Sequence, residues 1–260
     1  GGPRPGGRHP PLMGQPAGAP GRLHPRVGHH LSGGVAALCL VGGTLAGSMA
    51  SAASFGRRQG KEKTAMGTDL LPEFIREHYE VHEWKHACAI LAHDFPAEWK
   101  DICDVLTEFR FYRSWVSVGG GRKSKISEAI DQRLYARQWV EKHFDTEIRI
   151  DKQTLESPTH QIDCFRNRVA LEIEWNNKDP FYDRDLNNFR LLFELRAVSV
   201  GVIVTRCDDL QEIFEGVGRG SSFGASTTHM SKLLPRVLGG GGGGCPLLVF
   251  GISKKLYVED

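Results

Sequence analysis

Acidic residues are almost missing from the first quarter of the chain. Residues 1 to 65 hold eight Lys or Arg (Arg4, Arg8, Arg22, Arg26, Arg57, Arg58, Lys61, Lys63) against a single acid, Glu62. Taking those from the totals of 33 basic and 31 acidic residues leaves 25 basic and 30 acidic in the rest, so a formal net charge of +2 hides a basic arm and an acidic body. An acidic body excludes a protein that coats nucleic acid without regard to sequence. Also missing is any CxxC pair: Cys39, Cys88, Cys103, Cys164, Cys207 and Cys245 stand singly among mostly apolar neighbours. That excludes a cysteine zinc site and predicts buried free thiols in a reducing cytoplasm. No GxxxxGK[ST] occurs either, so the basic loop Gly119-Gly120-Gly121-Arg122-Lys123-Ser124-Lys125 favours a DNA-backbone contact by Arg122, Lys123 or Lys125 over nucleotide binding.

What is present divides into a tail and a body. Residues 1 to 65 are dominated by Gly, Pro, Ala, Arg and His with no apolar period, and are expected to form a disordered basic arm. Val35 to Gly47, between Arg26 and Ala50-Ser-Ala-Ala, mimics a signal-peptide core, but a translation begun upstream of a true start at Met66 explains the composition more simply. Residues 66 to 260 form the expected domain. Helices are expected over 72 to 92 and 96 to 115, the second opened by Pro96 and carrying Trp99, Ile102, Cys103, Leu106 and Phe109 on one face. A third helix is expected from Ser127 to about His143, then strands at 147–151, 161–165 and 169–175. A helix over 183–197, a doubly buried strand Val198 to Thr205, helices at 208–216 and 230–234 and a terminal strand at 246–252 complete the pattern. Strand, helix, strand in that order implies an α/β fold, with a mixed central sheet flanked by helices on both sides.

Chemistry concentrates in Gln161 to Lys178, QIDCFRNRVALEIEWNNK. Val169 to Trp175 reads as a strand, so Glu172 and Glu174 share one face while Leu171, Ile173 and Trp175 share the other. A hairpin through Arg166-Asn167-Arg168 would bring Asp163 beside both glutamates. Three carboxylates together need a cation or protons, and hard oxygen ligands suit Mg²⁺. The alternative is an ordinary edge strand with a solvated acidic face.

Asp163, eight residues, Glu172, one residue, a further acid at 174 and then an aromatic and the polar pair Asn176-Asn177 resemble the active-site hairpin of the BglII-type restriction endonucleases, members of the PD-(D/E)xK nuclease superfamily. The resemblance continues through Asn187-Asn188, Val200 to Arg206 and Phe223-Gly-Ala-Ser-Thr-Thr, covering roughly residues 70 to 252. It implies a restriction-endonuclease-like fold and a type II enzyme that hydrolyses double-stranded DNA at a short palindrome. The enzyme would act as a cytoplasmic homodimer with no membrane partner, using Mg²⁺ with Mn²⁺ able to substitute. It implies Asp163, Glu172 and the carbonyl of Ile173 as metal ligands, Glu174 as the residue that orients or deprotonates water, and Glu141 as a further acidic site residue. Base reading would fall to Asn176, Asn177, Ser226, Thr227, Thr228 and His229, and contacts to the DNA backbone to Arg122, Lys123 and Lys125. The superfamily's usual lysine is absent, and Glu174 stands in its place; the BglII group itself tolerates an acid or an amide there.

Two other readings compete. His82-Glu83-Trp84-Lys85-His86 matches HExxH, which on a helix would make a zinc peptidase, although no third ligand is evident. The same fold can also serve a DNA-binding protein without activity.

Overall fold

The computed structural model describes residues 67–118, 123–158 and 161–260. The expected arm and Arg122 lie outside them. In chain order the first elements are α1 (Glu73–His78), β1 (Tyr79–Trp84), α2 (Ala87–Asp94), α3 (Pro96–Glu108), β2 (Phe111–Tyr112), α4 (Arg113–Ser117) and α5 (Lys125–Tyr135). Then come β3 (Val140–Lys142), β4 (Asp145–Ile150), β5 (Gln153–Pro158), β6 (Ile162–Arg166), β7 (Val169–Glu174), α6 (Phe181–Glu194) and β8 (Val200–Arg206). The last are α7 (Gln211–Gly216), α8 (Met230–Leu238), β9 (Leu247–Ile252) and β10 (Tyr257–Val258).

Six strands form one mixed sheet in the order β1-β9-β8-β7-β6-β3. The middle strands β7, β8 and β9 run parallel and are buried along their whole lengths, while β6 and β1 join antiparallel on either side. Helices cover both faces. Ile75, Leu91, Ile102, Leu106, Ile130 and Leu134 of the first five helices pack on Leu171, Val202 and Phe250, whereas Tyr182, Leu186 and Phe189 of α6 and Met230, Leu233 and Val237 of α8 pack on Ala170, Ile203 and Val249. The expected three-layer α/β arrangement is therefore the observed one, with β7 near the middle of the sheet.

Three expected helices are shorter than their patterns suggested. Residues 72 to 92 are helix, strand, helix: Tyr79 to Trp84 pair antiparallel with Ile252 to Leu247, and the left-handed residues Lys85 (φ 57) and His86 (φ 58) turn the chain into α2. The helix from Pro96 stops at Glu108, because Phe109 is extended and Phe111-Tyr112 pairs in parallel with Tyr257-Val258. The third helix ends at Tyr135. A turn with Gln138 at φ 68 follows, and Trp139 is buried with its indole N–H on Asp101 Oδ2 at 3.0 Å. β5, which pairs with β4 in a separate hairpin, was not anticipated. The glycine run from 239 to 244 is a tight passage into β9 in which Gly240 and Gly243 take φ 83 and 57, values that L residues other than Asn or Asp rarely adopt.

Candidate active site

Asn167 (φ 44) and Arg168 (φ 69) close the β6–β7 hairpin in the left-handed region, and the ladder runs from Arg166 opposite Val169 to Cys164 opposite Leu171. One step further the side chains take over from the backbone. Ile173 N–H donates to Asp163 Oδ2 at 3.0 Å, and Asp163 N–H donates to Glu172 Oε2 at 3.3 Å. Tyr135 of α5 fixes the same point by donating its hydroxyl to the Asp163 carbonyl at 3.0 Å. The hairpin thus joins Asp163 and Glu172, as the sequence spacing implied.

Glu172 and Glu174 do not lie on a solvated edge. They project from an interior strand onto the face covered by α6, and each is only 1% exposed. Helix α6 answers them with two residues that sequence reasoning missed. Asp185 is completely buried, and Arg184 donates from Nη2 to Glu174 Oε1 at 3.1 Å and from Nε to Asp185 Oδ1 at 2.8 Å. Arg184 also lies over the Phe181 ring, 4.4 Å from its centroid. A signal was available: Asp185 stands next to Leu186 and four residues before Phe189, inside the apolar stripe of the helix, where an unpaired acid is costly. The second oxygen of Glu174, Oε2, accepts from Asn177 Nδ2 at 2.7 Å.

Burial drives the electrostatics of this cluster. The Glu172 carboxyl is pushed well above the usual carboxylate range by desolvation and then by the Asp185 and Asp163 charges. Glu174 rises to about 9 through burial first and its Asp185 neighbour second, and Asp185 rises through burial although Arg184 opposes it. Without a cation, burial therefore favours the protonated form of each of these acids. Within the described residues Glu172 Oε1 and Asp185 Oδ2 are buried with no hydrogen-bond partner. Among the described residues no three such side chains converge on one point as they stand. Even so, orphaned carboxylate oxygens that accept protons for want of a cation have the donor chemistry of a hard divalent ion, and the residues fit one.

Immediately beyond β7 the chain is joined to the loop before α8. Asn176 Nδ2 donates to Ser222 O at 3.1 Å, Asp179 N–H to Ser226 O at 3.1 Å, Thr228 N–H to Asn177 O at 2.9 Å, and Asn177 N–H to Thr228 Oγ1 at 3.1 Å. Beneath them Arg206, at the end of β8, donates from Nη2 to Phe223 O at 2.9 Å and Thr227 Oγ1 at 2.8 Å and stacks near Phe214 and Phe223. Arg206 is 2% exposed and forms no ion pair among the described residues. His229 is held through Nδ1 on Asp208 at 2.6 Å. Asn176, Asn177 and Ser226 are exposed, but Thr227, Thr228 and His229 are buried. Thr227 Oγ1, Thr228 Oγ1 and His229 Nδ1 brace the loop from within, while His229 Nε2 is left without a partner among the described residues.

The remaining predicted positions disperse. Lys125 is exposed at the start of α5, and Lys123, though partly exposed, is ion-paired with the buried Asp131 carboxylate, which also accepts from Cys164 Sγ at 3.3 Å. Glu141 sits exposed on the edge strand β3 instead of near a helix end; it hydrogen-bonds to none of the cluster, although its charge and that of Asp163 both act on Lys123. The HExxH segment is not helical. His82 lies on β1 against Glu80 at 2.8 Å, Glu83 Oε1 accepts from Cys88 N–H at 2.9 Å, and His86 occupies the left-handed turn. The two histidines share no helix face, so the zinc-peptidase reading is withdrawn. The five described cysteines are buried and free. No helix among the described residues is long and apolar enough to cross a membrane.

Comparison with known proteins adds one match. The family model described as restriction endonuclease BglII/BglIII matches residues 79–252, from the first residue of β1 to the last of β9, and so contains the whole carboxylate cluster. No curated protein matches the chain.

Proposed function

The chain belongs to the BglII/BglIII restriction endonuclease family, a family of type II site-specific deoxyribonucleases, and on that footing we propose Mg²⁺-dependent hydrolysis of both strands of a short palindromic DNA site, leaving 5′-phosphates. The observation that carries the metal dependence is the pair of buried, unpartnered oxygens on Glu172 and Asp185 beside Asp163. Asp163, Glu172 and the Ile173 carbonyl would hold Mg²⁺, or Mn²⁺ in its place. The bound ion would supply Lewis-acid stabilisation of the charge developing on the phosphate and a more acidic attacking water.

The chain's own residues do the rest. The hydrogen bond from Ile173 N–H keeps the Asp163 carboxylate turned toward Glu172. Glu174, held at both oxygens by Arg184 and Asn177, has its lone pairs directed before substrate arrives, which suits a group that orients water and accepts its proton. Asn176, Asn177 and Ser226 are the exposed groups at the joined loops and would read base edges, the amides being suited to adenine. Lys125 would contact backbone phosphate, as would Lys123 once released from Asp131. Glu141 stays a candidate for a water-mediated contact to the site from β3. Cutting both strands of a two-fold site calls for one site per subunit, hence a homodimer.

Incubating the protein with plasmid DNA with and without Mg²⁺, then sequencing the ends, tests the proposal. Discrete fragments with a common palindromic terminus, formed only with metal, are expected; intact plasmid under all divalent ions would overturn it.

A further inference from the structure

Three side chains in the cluster, Glu172, Glu174 and Asp185, are at most 1% exposed. Among the described residues Arg184 is the one cation hydrogen-bonded to any of them. Its guanidinium reaches the cluster from helix α6, not from the hairpin, and spends two nitrogens on two carboxylates. Phe181 closes one face of the guanidinium plane. A planar fork set against two acids and an aromatic ring is pre-organised, so little motion is left to it.

We propose that Arg184 is the positioning cation of the active site: it orients Glu174 from α6 and leaves Glu172 Oε1 and Asp185 Oδ2 as the oxygens open to a divalent ion. This deepens the nuclease reading and rests on it. With Oε1 on Arg184 and Oε2 on Asn177, Glu174 is held at both oxygens and keeps one further lone-pair direction on each. The cluster's acids thus divide into Glu174, held at both oxygens, and Asp185 and Glu172, each held at one oxygen with the other, Oδ2 or Oε1, unpartnered among the described residues. Arg184 acts through Glu174: its Nε and Nη2 are engaged on carboxylates, which leaves Nη1 alone outside the fork. Lysine at position 184 would keep the charge but not the fork, so it should replace only part of the function.

The experiment is a double-mutant cycle on Arg184→Met and Glu174→Gln, with Arg184→Lys as the conservative variant. Single-turnover cleavage of pre-bound cognate DNA at saturating Mg²⁺ is read separately from DNA affinity measured in Ca²⁺. Arg184→Met should slow cleavage about 100-fold, within the range for a disturbed proton-transfer group, while affinity changes less than about threefold. In the Glu174→Gln background the same substitution should cost less than about threefold more, because residues that act as one unit are not additive. Arg184→Lys should recover part of the rate. Additive effects, or a loss of affinity that accounts for the lost rate, would overturn the proposal. Should the unaltered protein cut no DNA, the nuclease reading fails by itself. The same cycle measured by urea unfolding then decides on Arg184: coupling between the two substitutions supports the pairing, and additivity overturns it.

Discussion

The amide of Asn177 donates to the Oε2 of Glu174 over 2.7 Å, so an exposed residue of the loop beyond β7 holds a buried carboxylate of the cluster. An amide nitrogen has two hydrogens. One is on Glu174 and the other is left for a further acceptor, so under the proposed function this single side chain would tie reading to cutting.

Asn177→Ala should therefore lose on two counts. Discrimination against a wrong base should fall by about 1–3 kcal/mol, and the cleavage rate of already bound DNA should fall as well. Asn176→Ala, whose amide goes only to Ser222 O, should affect binding alone. Binding isotherms together with single-turnover rates on the same oligonucleotides check the contrast; equal rate losses in both variants would break the link to Glu174.

Glu172→Gln and Asp185→Asn should each reduce metal-dependent cleavage by at least about 100-fold without unfolding the protein. Each removes one of the mutually repelling buried acids, so the metal-free melting temperature should hold or rise. A cleavage time course and a thermal melt on the same preparation report both halves. Full activity in Asp185→Asn would return that residue to a purely structural part.

Stability without metal should fall as pH rises. Glu174 has a folded-state pKa near 9, raised by burial, above its unfolded value, so between the two the folded chain holds the extra proton. Its contribution is neutral below the unfolded pKa and becomes steadily more destabilising until about pH 9, by on the order of a few kcal/mol. Glu172 adds a shift in the same direction. Urea unfolding at pH 6 and at pH 8.5 should show the loss, Glu174→Gln should reduce it, and Mg²⁺ should offset it most at the higher pH. A flat profile for the unaltered protein would contradict the buried-acid account.

Arg206 offers a different separation. Replacing it by Met removes a buried charge that has no carboxylate partner among the described residues, along with its bonds to Phe223 O and Thr227 Oγ1. Losing charged hydrogen bonds costs about 1.5–3 kcal/mol, but shedding an unpaired buried charge returns much of that globally. Global stability should change little while the Thr227 and Thr228 amides exchange at least about tenfold faster, the equivalent of about 1.4 kcal/mol locally. Hydrogen exchange by NMR measures both at once, and unchanged protection at those amides would show that the loop does not depend on Arg206.

Much of the sheet could be read from the sequence because β8 and β9 carry their own signal, largely apolar runs that suit a covered strand, while β7 is marked by its β-branched and aromatic residues although two glutamates interrupt it. The Asp163–Glu172 meeting was legible for a similar reason, since a short hairpin fixes which residues face each other. The first helix misled because the strand character of Tyr79 to Trp84 comes from pairing with β9, some 170 residues later, and no local pattern reports such a partner. Glu141 was misplaced by the same extension of a helix through Gln138, whose left-handed φ breaks it. Arg184 and Asp185 were passed over because they interrupt an amphipathic helix that otherwise explained itself. The hydroxyls of the loop threonines suit base reading when seen in sequence; their burial depends on the facing segment 176–179, which the sequence does not place opposite them.

That facing segment gives the joined loops a collective fate. Asn177 and Thr228 exchange backbone and side-chain bonds, Lys178 bridges Thr227, and Asp179 holds Ser226. In inheritance the two segments should behave as one trait, since a change in either half that alters its path strands the other. A laboratory library that randomises one segment alone should yield mostly inactive enzymes. One that varies Asn176 and Ser226 together, keeping the residues that clasp the segments, is the route by which such a nuclease could be taught a new target.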